Sequence, residues 1–245
     1  MKNNLLYLFI PIMTFASFSF AQNQFESDTI STSSGDLKIT FIGHATLLFN
    51  FNNLVIYIDP VSTYADFSNM PKADMILITH HHSDHLDKKA IDQIMKPDTD
   101  LILTETCAKQ INAGIVMKNG DVKEIKGLIV QAVPAYNIVH KRDNGEPFHP
   151  KGVGNGYVIT FGDKKVYIAG DTENIPEMRD LSGIDCAFLP MNLPYTMTPK
   201  MVADAVMMFS PKILYPYHYG DTNVNELVEL LKDKKDCEVR IRKMQ

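Results

Sequence analysis

Apolar and polar positions alternate with a period of two along much of this chain, in short runs punctuated by Gly, Pro, Asn and Asp. Period two turns one face of each run towards a core, so the runs read as strands. They fall over residues 37–42, 47–51, 54–58, 75–79 and 100–103, and again over 127–134, 156–161, 165–169, 185–189, 213–217 and 238–241. Asn52-Asn53 and Gly162-Asp163 suit tight hairpin turns, because these residue types tolerate positive φ. Residues 88–95 and 106–113 read as helices ended by Pro97 and Gly114. Thr198-Pro199 opens a further helix over 199–209 as N-cap and first residue, and 225–232 is a fourth. Strand runs followed by helices, twice over, predict an α/β fold of two sheets packed face to face with helices outside. No sequence repeat is visible behind the doubling.

Residues 1–21 break the pattern. Lys2 precedes an apolar stretch from Leu5 to Phe20, and Ser19-Phe20-Ala21 offers a small-x-small cleavage site before Gln22. This reads as a secretory signal peptide, with the mature protein exported to the periplasm or the medium. The stretch is short for a spanning helix and is interrupted by Pro11, Ser17 and Ser19, so no stable membrane insertion is expected after cleavage. Residues 22–36, rich in Ser, Thr, Asn and Gln, read as a flexible lead-in. Residues 37–245 then form one domain, large enough for a sizeable core.

Composition narrows the partners. A hydrophobic content of 45% and a charged content of 22% are those of an ordinary globular protein. A formal net charge of −5 gives no electrostatic reason to bind nucleic acid or an anionic bilayer. The three cysteines, Cys107, Cys186 and Cys237, are odd in number and widely spaced, so they imply no disulfide framework. A small-molecule substrate is the expected partner, and the oligomeric state is left open.

The chemistry concentrates after the apolar run 75–78. Residues 79–85 read Thr-His-His-His-Ser-Asp-His and hold half of the chain's eight histidines. His80 and His82 alternate and can face one metal; Asp84 and His85 sit a step further and can face a second. Imidazole and carboxylate suit zinc and related divalent metals. Two other strands end in candidate ligands, Asp171 after Ala169-Gly170 and His218 after Pro216-Tyr217.

With Gly43-His44-Ala45-Thr46, Asp59-Pro60, T-H-x-H-x-D-H, Ala-Gly-Asp-Thr and Pro-x-His in this order, residues 37–220 resemble the metallo-β-lactamase superfamily. They look most like the branch of ascorbate-phosphate lactonase-like proteins and N-acyl-phosphatidylethanolamine phospholipase D. The resemblance implies a four-layer αβ/βα sandwich and two divalent metal ions, zinc first, with manganese or iron as alternatives. It implies that His80 and His82 bind one metal and Asp84, His85 and His218 the other, with Asp171 bridging. The family places a third histidine for the first metal where this chain has Asn137. His149, stiffened by Pro147 and Pro150, is preferred over His140 as its replacement, with Asn137 as supporting partner or outer ligand. Asp59 is expected to orient a ligating histidine, and His44 to orient a ligand or the backbone.

The implied activity is metal-dependent hydrolysis of an ester, lactone or phosphodiester, with water activated by the metals as nucleophile and Asp84 orienting it. Tyr195, Met197 and Tyr217 are candidates to contact substrate, and Tyr195 or Tyr217 to protonate the leaving group. Lys141, Arg142 and Lys151 lie in the long irregular stretch 137–155, which is of a length often functional. Iron-dependent redox chemistry, β-lactam hydrolysis and a non-catalytic metal scaffold are the rival readings.

Overall fold

The structure, a computed structural model, describes residues 25–244. Fourteen strands build two seven-stranded sheets. In the first, β1 (Glu26–Thr32), β2 (Gly35–Gly43), β3 (Thr46–Phe51) and β4 (Leu54–Ile58) form an antiparallel meander. β5 (Met75–Leu77), β6 (Asp100–Leu103) and β7 (Ile115–Val116) extend it in parallel. Parallel neighbours need crossovers, and α1 (Lys88–Ile94) and α2 (Glu105–Ile111) supply the last two. The second sheet repeats the plan. β8 (Val122–Ile125), β9 (Leu128–Ala135), β10 (Gly154–Phe161) and β11 (Lys164–Ile168) are antiparallel. β12 (Cys186–Pro190), β13 (Ile213–Tyr217) and β14 (Glu238–Val239) follow in parallel, linked by α3 (Pro199–Phe209) and α4 (Val224–Leu231). Even the short 3-10 turns correspond: Phe67–Asn69 precedes β5 and Pro176–Asp180 precedes β12. This is the αβ/βα sandwich, and the doubling hidden in the sequence is explicit in the strand order.

The period-two pattern divides side chains between two layers. Ile56, Ile58, Met75 and Leu77 join the central core with Tyr157, Ile159 and Phe188, while Tyr57 and Ile76 face Ile91, Ile94 and Cys107 on the helix side. The run 75–78 is uniformly apolar because it is buried on both faces. Phe41 and Phe49 of the first sheet pack on Phe188 of the second at 6.3 and 6.0 Å. The expected turns and caps are present. Asn52 and Asn53 take φ of 46° and 67°, and the Thr198 hydroxyl accepts from the Met201 N–H at 3.1 Å. Among the described residues no helix is long and apolar enough to cross a membrane.

Three local expectations need correction. The lead-in expected over 22–36 contains β1, which pairs with β2 in continuous register from Glu26↔Phe41 to Thr32↔Gly35. Only Ile30 in that strand is buried, so apolar periodicity could not reveal it. Instead Asp28 anchors it, accepting from Tyr215 Oη and from the Arg242 guanidinium, both at 2.7 Å. β8 was also hidden, because two charged residues, Lys123 and Glu124, fill half of a short, mostly exposed strand. α2 ends at Asn112, which takes the left-handed conformation (φ 60°) before Gly114 is reached. The signal-peptide segment lies outside the described residues.

Candidate metal centre

The candidate ligands leave strand tips on one edge of the sandwich. Beyond β5 the chain curls, with the His85 and Leu86 N–H groups both bonding to His82 O at 3.0 and 2.8 Å. Beyond β11, Gly170 turns with φ 64°, and a Cβ there would lie 2.8 Å from Asn155 O, so only glycine lets Asp171 enter the site. His218 directly follows β13, and its N–H donates to His44 O at 2.9 Å, tying the β2–β3 turn to the opposite sheet. His149 comes from the long connection between β9 and β10.

Two groups result. His80, His82, His149 and Asp171 each bring one ligand atom within 4.8 Å of the others, and so do His44, Asp84, His85 and His218. Asp171 faces both. Its Oδ2 lies 3.2 Å from His149 Nε2 and 3.8 Å from His80 Nε2, while Oδ1 lies 3.4 Å from His85 Nε2 and 3.5 Å from His218 Nε2. Asp84 Oδ2 sits 3.2 Å from His44 Nε2 and 3.4 Å from His218 Nε2.

The donors fit a pair of cations. His85 Nε2, His149 Nε2, His218 Nε2 and Asp171 Oδ1 are buried without a hydrogen-bond partner. A buried polar atom left unpaired costs about 1–3 kcal/mol, so several converging on one point call for a ligand. Two candidate metal sites are thus present, side by side in one dinuclear-type centre built from imidazole and carboxylate. The electrostatics agree. Burial and the neighbouring His149 push His82 down to about 4, which leaves a neutral ring with a free lone pair. Burial opposes ionisation of Asp171, but the imidazoles of His218 and His85 hold its carboxyl well below the usual range.

Asp59 and Asn137 each contact a histidine of these groups. Asp59 is fully buried and accepts from Thr79 N (2.8 Å), Thr79 Oγ1 (2.6 Å) and His85 Nδ1 (2.8 Å). Its bond to Nδ1 leaves His85 Nε2 as the free lone pair. Asn137 Oδ1 stands 2.7 Å from His149 Nδ1 and does the same there. His44, expected as an orienting residue, lies inside the second group, with its ring stacked on Tyr64 at 5.1 Å. His140 stays out of both groups and bonds to Glu173 Oε1 at 2.7 Å.

The substrate candidates divide. Met197 and Tyr217 are fully buried in the core, so neither lines the site mouth. Tyr217 points inward because its hydroxyl accepts from the Gly170 N–H at 2.9 Å; it supports the Asp171 turn instead of meeting substrate or protonating a leaving group. Tyr195 is 46% exposed and packs edge-on against Phe148, beside His149. Lys151 is engaged by Glu177 at 2.7 Å, and Arg142 lies over the Phe148 ring. Sequence reasoning missed Glu173, a buried acid that accepts from the Ile138, Val139 and His140 N–H groups. Its place two residues after Asp171 was the available signal.

Comparison with known proteins gives the same assignment. The β-lactamase superfamily domain profile matches residues 38–218. A UPF0173 metal-dependent hydrolase of Methanopyrus kandleri is 30% identical over 201 residues, covering 75% of this chain and 84% of the relative. Another from Thermococcus onnurineus is 30% identical over 220 residues, with coverages of 82% and 94%. A crystal structure described as a candidate metal-dependent hydrolase, from Parabacteroides distasonis, is 53% identical and superposes with a TM-score of 0.87 over 90% of this chain and 100% of that one. The metallo hydrolase Igni18 of Ignicoccus hospitalis, 24% identical with a TM-score of 0.69 over 84% of this chain and 94% of its own, shares the fold. With the profile spanning the strand-tip ligands and the sandwich complete, this chain belongs to the metallo-β-lactamase superfamily.

Proposed function

We propose that the protein is an exported hydrolase that holds two divalent cations, zinc first, and cleaves an ester, lactone or phosphodiester bond in a small molecule. The observation that carries this reading is the division of Asp171, one oxygen towards each group of imidazoles. Relatives described as metal-dependent hydrolases support the reaction class. The order of the motifs and the Pro194-Tyr195-Thr196-Met197-Thr198 loop favour the lactonase-like branch over β-lactam hydrolysis. The leader pattern over 1–21 supports export, which an intact mass starting at Gln22 would bear out and a retained leader would refute.

His80, His82 and His149 would hold one cation, Asp84, His85 and His218 the other, and Asp171 would bridge. Bound divalent cations supply acidified water and polarise the substrate oxygen. Asp59 and Asn137 keep two Nε2 lone pairs aimed inward. Asp84, with a side chain 42% exposed, is the acid of the centre open to substrate, and its carboxylate orients the attacking water. His44 Nε2 steadies that carboxylate from behind. Tyr195 stands at the rim, where it can meet the substrate's leaving group. The test is metal content of the purified protein, followed by a hydrolysis screen over lactones, phosphodiesters and β-lactams. Two zinc ions and turnover of a lactone or phosphodiester support the reading; iron with no hydrolysis would favour redox chemistry on the same scaffold.

A further inference from the structure

Glu173 is a fully buried carboxylate whose ion-pair candidate among the described residues is the His140 imidazole, at 2.7 Å. Its charge is spent on one segment. Oε2 accepts from the Ile138 and Val139 N–H groups, each at 2.7 Å. Oε1 accepts from the His140 N–H and Nδ1, each at 2.7 Å, and from Asn137 Nδ2 at 3.1 Å. The Glu173 N–H closes the clamp by donating to Tyr136 O at 3.0 Å. Five donors on two oxygens require an acceptor-only group, which a carboxylate is and an amide is not.

The clamped segment opens the connection that carries His149. The link between them is Asn137, whose Nδ2 reaches Glu173 and whose Oδ1 reaches His149 Nδ1. The chain runs from Glu173 through Asn137 to His149 and on to Asp171, only two residues from where it began. A ligand delivered from the middle of a long loop lacks the rigidity of one at a strand tip, and ordered supporting bonds compensate.

We propose that Glu173 is a positioning residue for the His80, His82 and His149 half of the centre: it fixes the loop start so that Asn137 aims the His149 ring. This rests on the two-metal reading. The probe is zinc alone, titrated into the full mature chain against a competing chelator. The metal-free melting temperature and hydrogen exchange at the 138–140 amides are measured in parallel. In Glu173→Gln the new NH2 group faces existing donors. One of the two sites should then weaken by about 10–100-fold, the usual cost of losing a ligand's supporting partner. The cobalt(II) spectrum should match that of His149→Ala, and the 138–140 amides should exchange faster. The other site should hold its affinity, while the metal-free melting temperature should fall because buried donors lose an acceptor. Two unchanged affinities would overturn the inference, as would equal weakening of both sites, the mark of a merely structural role. Should Glu173→Gln fail to fold, Asn137→Ala removes the side chain that joins Glu173 to His149, together with its bond to Tyr195 O at 2.9 Å, and should weaken the same site; an unchanged affinity there overturns the inference. A wild-type protein that takes up no zinc overturns the two-metal reading itself.

Discussion

Asn137 and His149 are joined by three hydrogen bonds: Asn137 N–H to His149 O at 2.9 Å, His149 N–H to Asn137 Oδ1 at 2.8 Å, and His149 Nδ1 to the same oxygen at 2.7 Å. The residue that stands where the resembled family has a histidine thus holds the histidine proposed to replace it. His149→Ala should lower zinc affinity at one site by at least ~10–100-fold. His140→Ala removes one bond from Glu173 and should leave both affinities unchanged. Chelator competition on the two variants checks this, and equal small effects would leave Asn137 as the ligand.

How far the site could be read follows from where its residues sit. His80, His82, Asp84, His85, Asp171 and His218 stand at strand tips, and a strand run followed by a polar residue is visible in sequence. His149 was reachable only through a missing ligand and two flanking prolines. Tyr217 and Met197 misled because a residue next to a ligand or in a loop can still turn inward; Tyr217 alternates away from His218 and reaches Gly170. His44 lies far from the other motifs in sequence. Strand order brings it in: His44 sits in the β2–β3 turn and His149 in the β9–β10 connection, corresponding places in the two sheets.

Tyr217→Phe should therefore leave KM and kcat near wild type on any substrate the screen finds. It removes one buried acceptor from the Gly170 N–H and should cost about 1–3 kcal/mol of stability. Tyr195→Ala should instead raise KM with little change in melting temperature. Steady-state kinetics on the two variants separates core from rim, and a collapse of kcat in Tyr217→Phe with unchanged metal content would contradict the assignment.

Asp28 anchors an otherwise polar edge strand, so Asp28→Asn should cost about 2 kcal/mol, the scale of hydrogen bonds to a charged group. Burial works against the Asp28 charge, but the Arg242 and Tyr215 hydrogen bonds and the Arg242 charge hold its pKa below the ordinary 3.8. A depressed carboxylate stabilises the fold above its unfolded pKa and loses that contribution as pH falls through its folded value. The melting-temperature gap between wild type and Asp28→Asn should be full above pH 3.8 and shrink below it. A gap that widens with acid would refute the assignment.

Asp84→Asn preserves shape and should fold normally, since the side chain is 42% exposed. It removes the carboxylate that orients the attacking water, so kcat/KM should fall by roughly 10²–10⁴-fold. Near-normal turnover would shift the balance to the redox or binding readings.

One carboxylate, Asp171, is proposed to join two metal sites into one centre. Elemental analysis of wild type and Asp171→Asn, loaded with zinc and freed of excess, tests it most directly. A neutral amide bridges two cations poorly. Close to two zinc ions per wild-type chain are expected, with loss of metal from both halves in Asp171→Asn. Two ions retained in Asp171→Asn would contradict it.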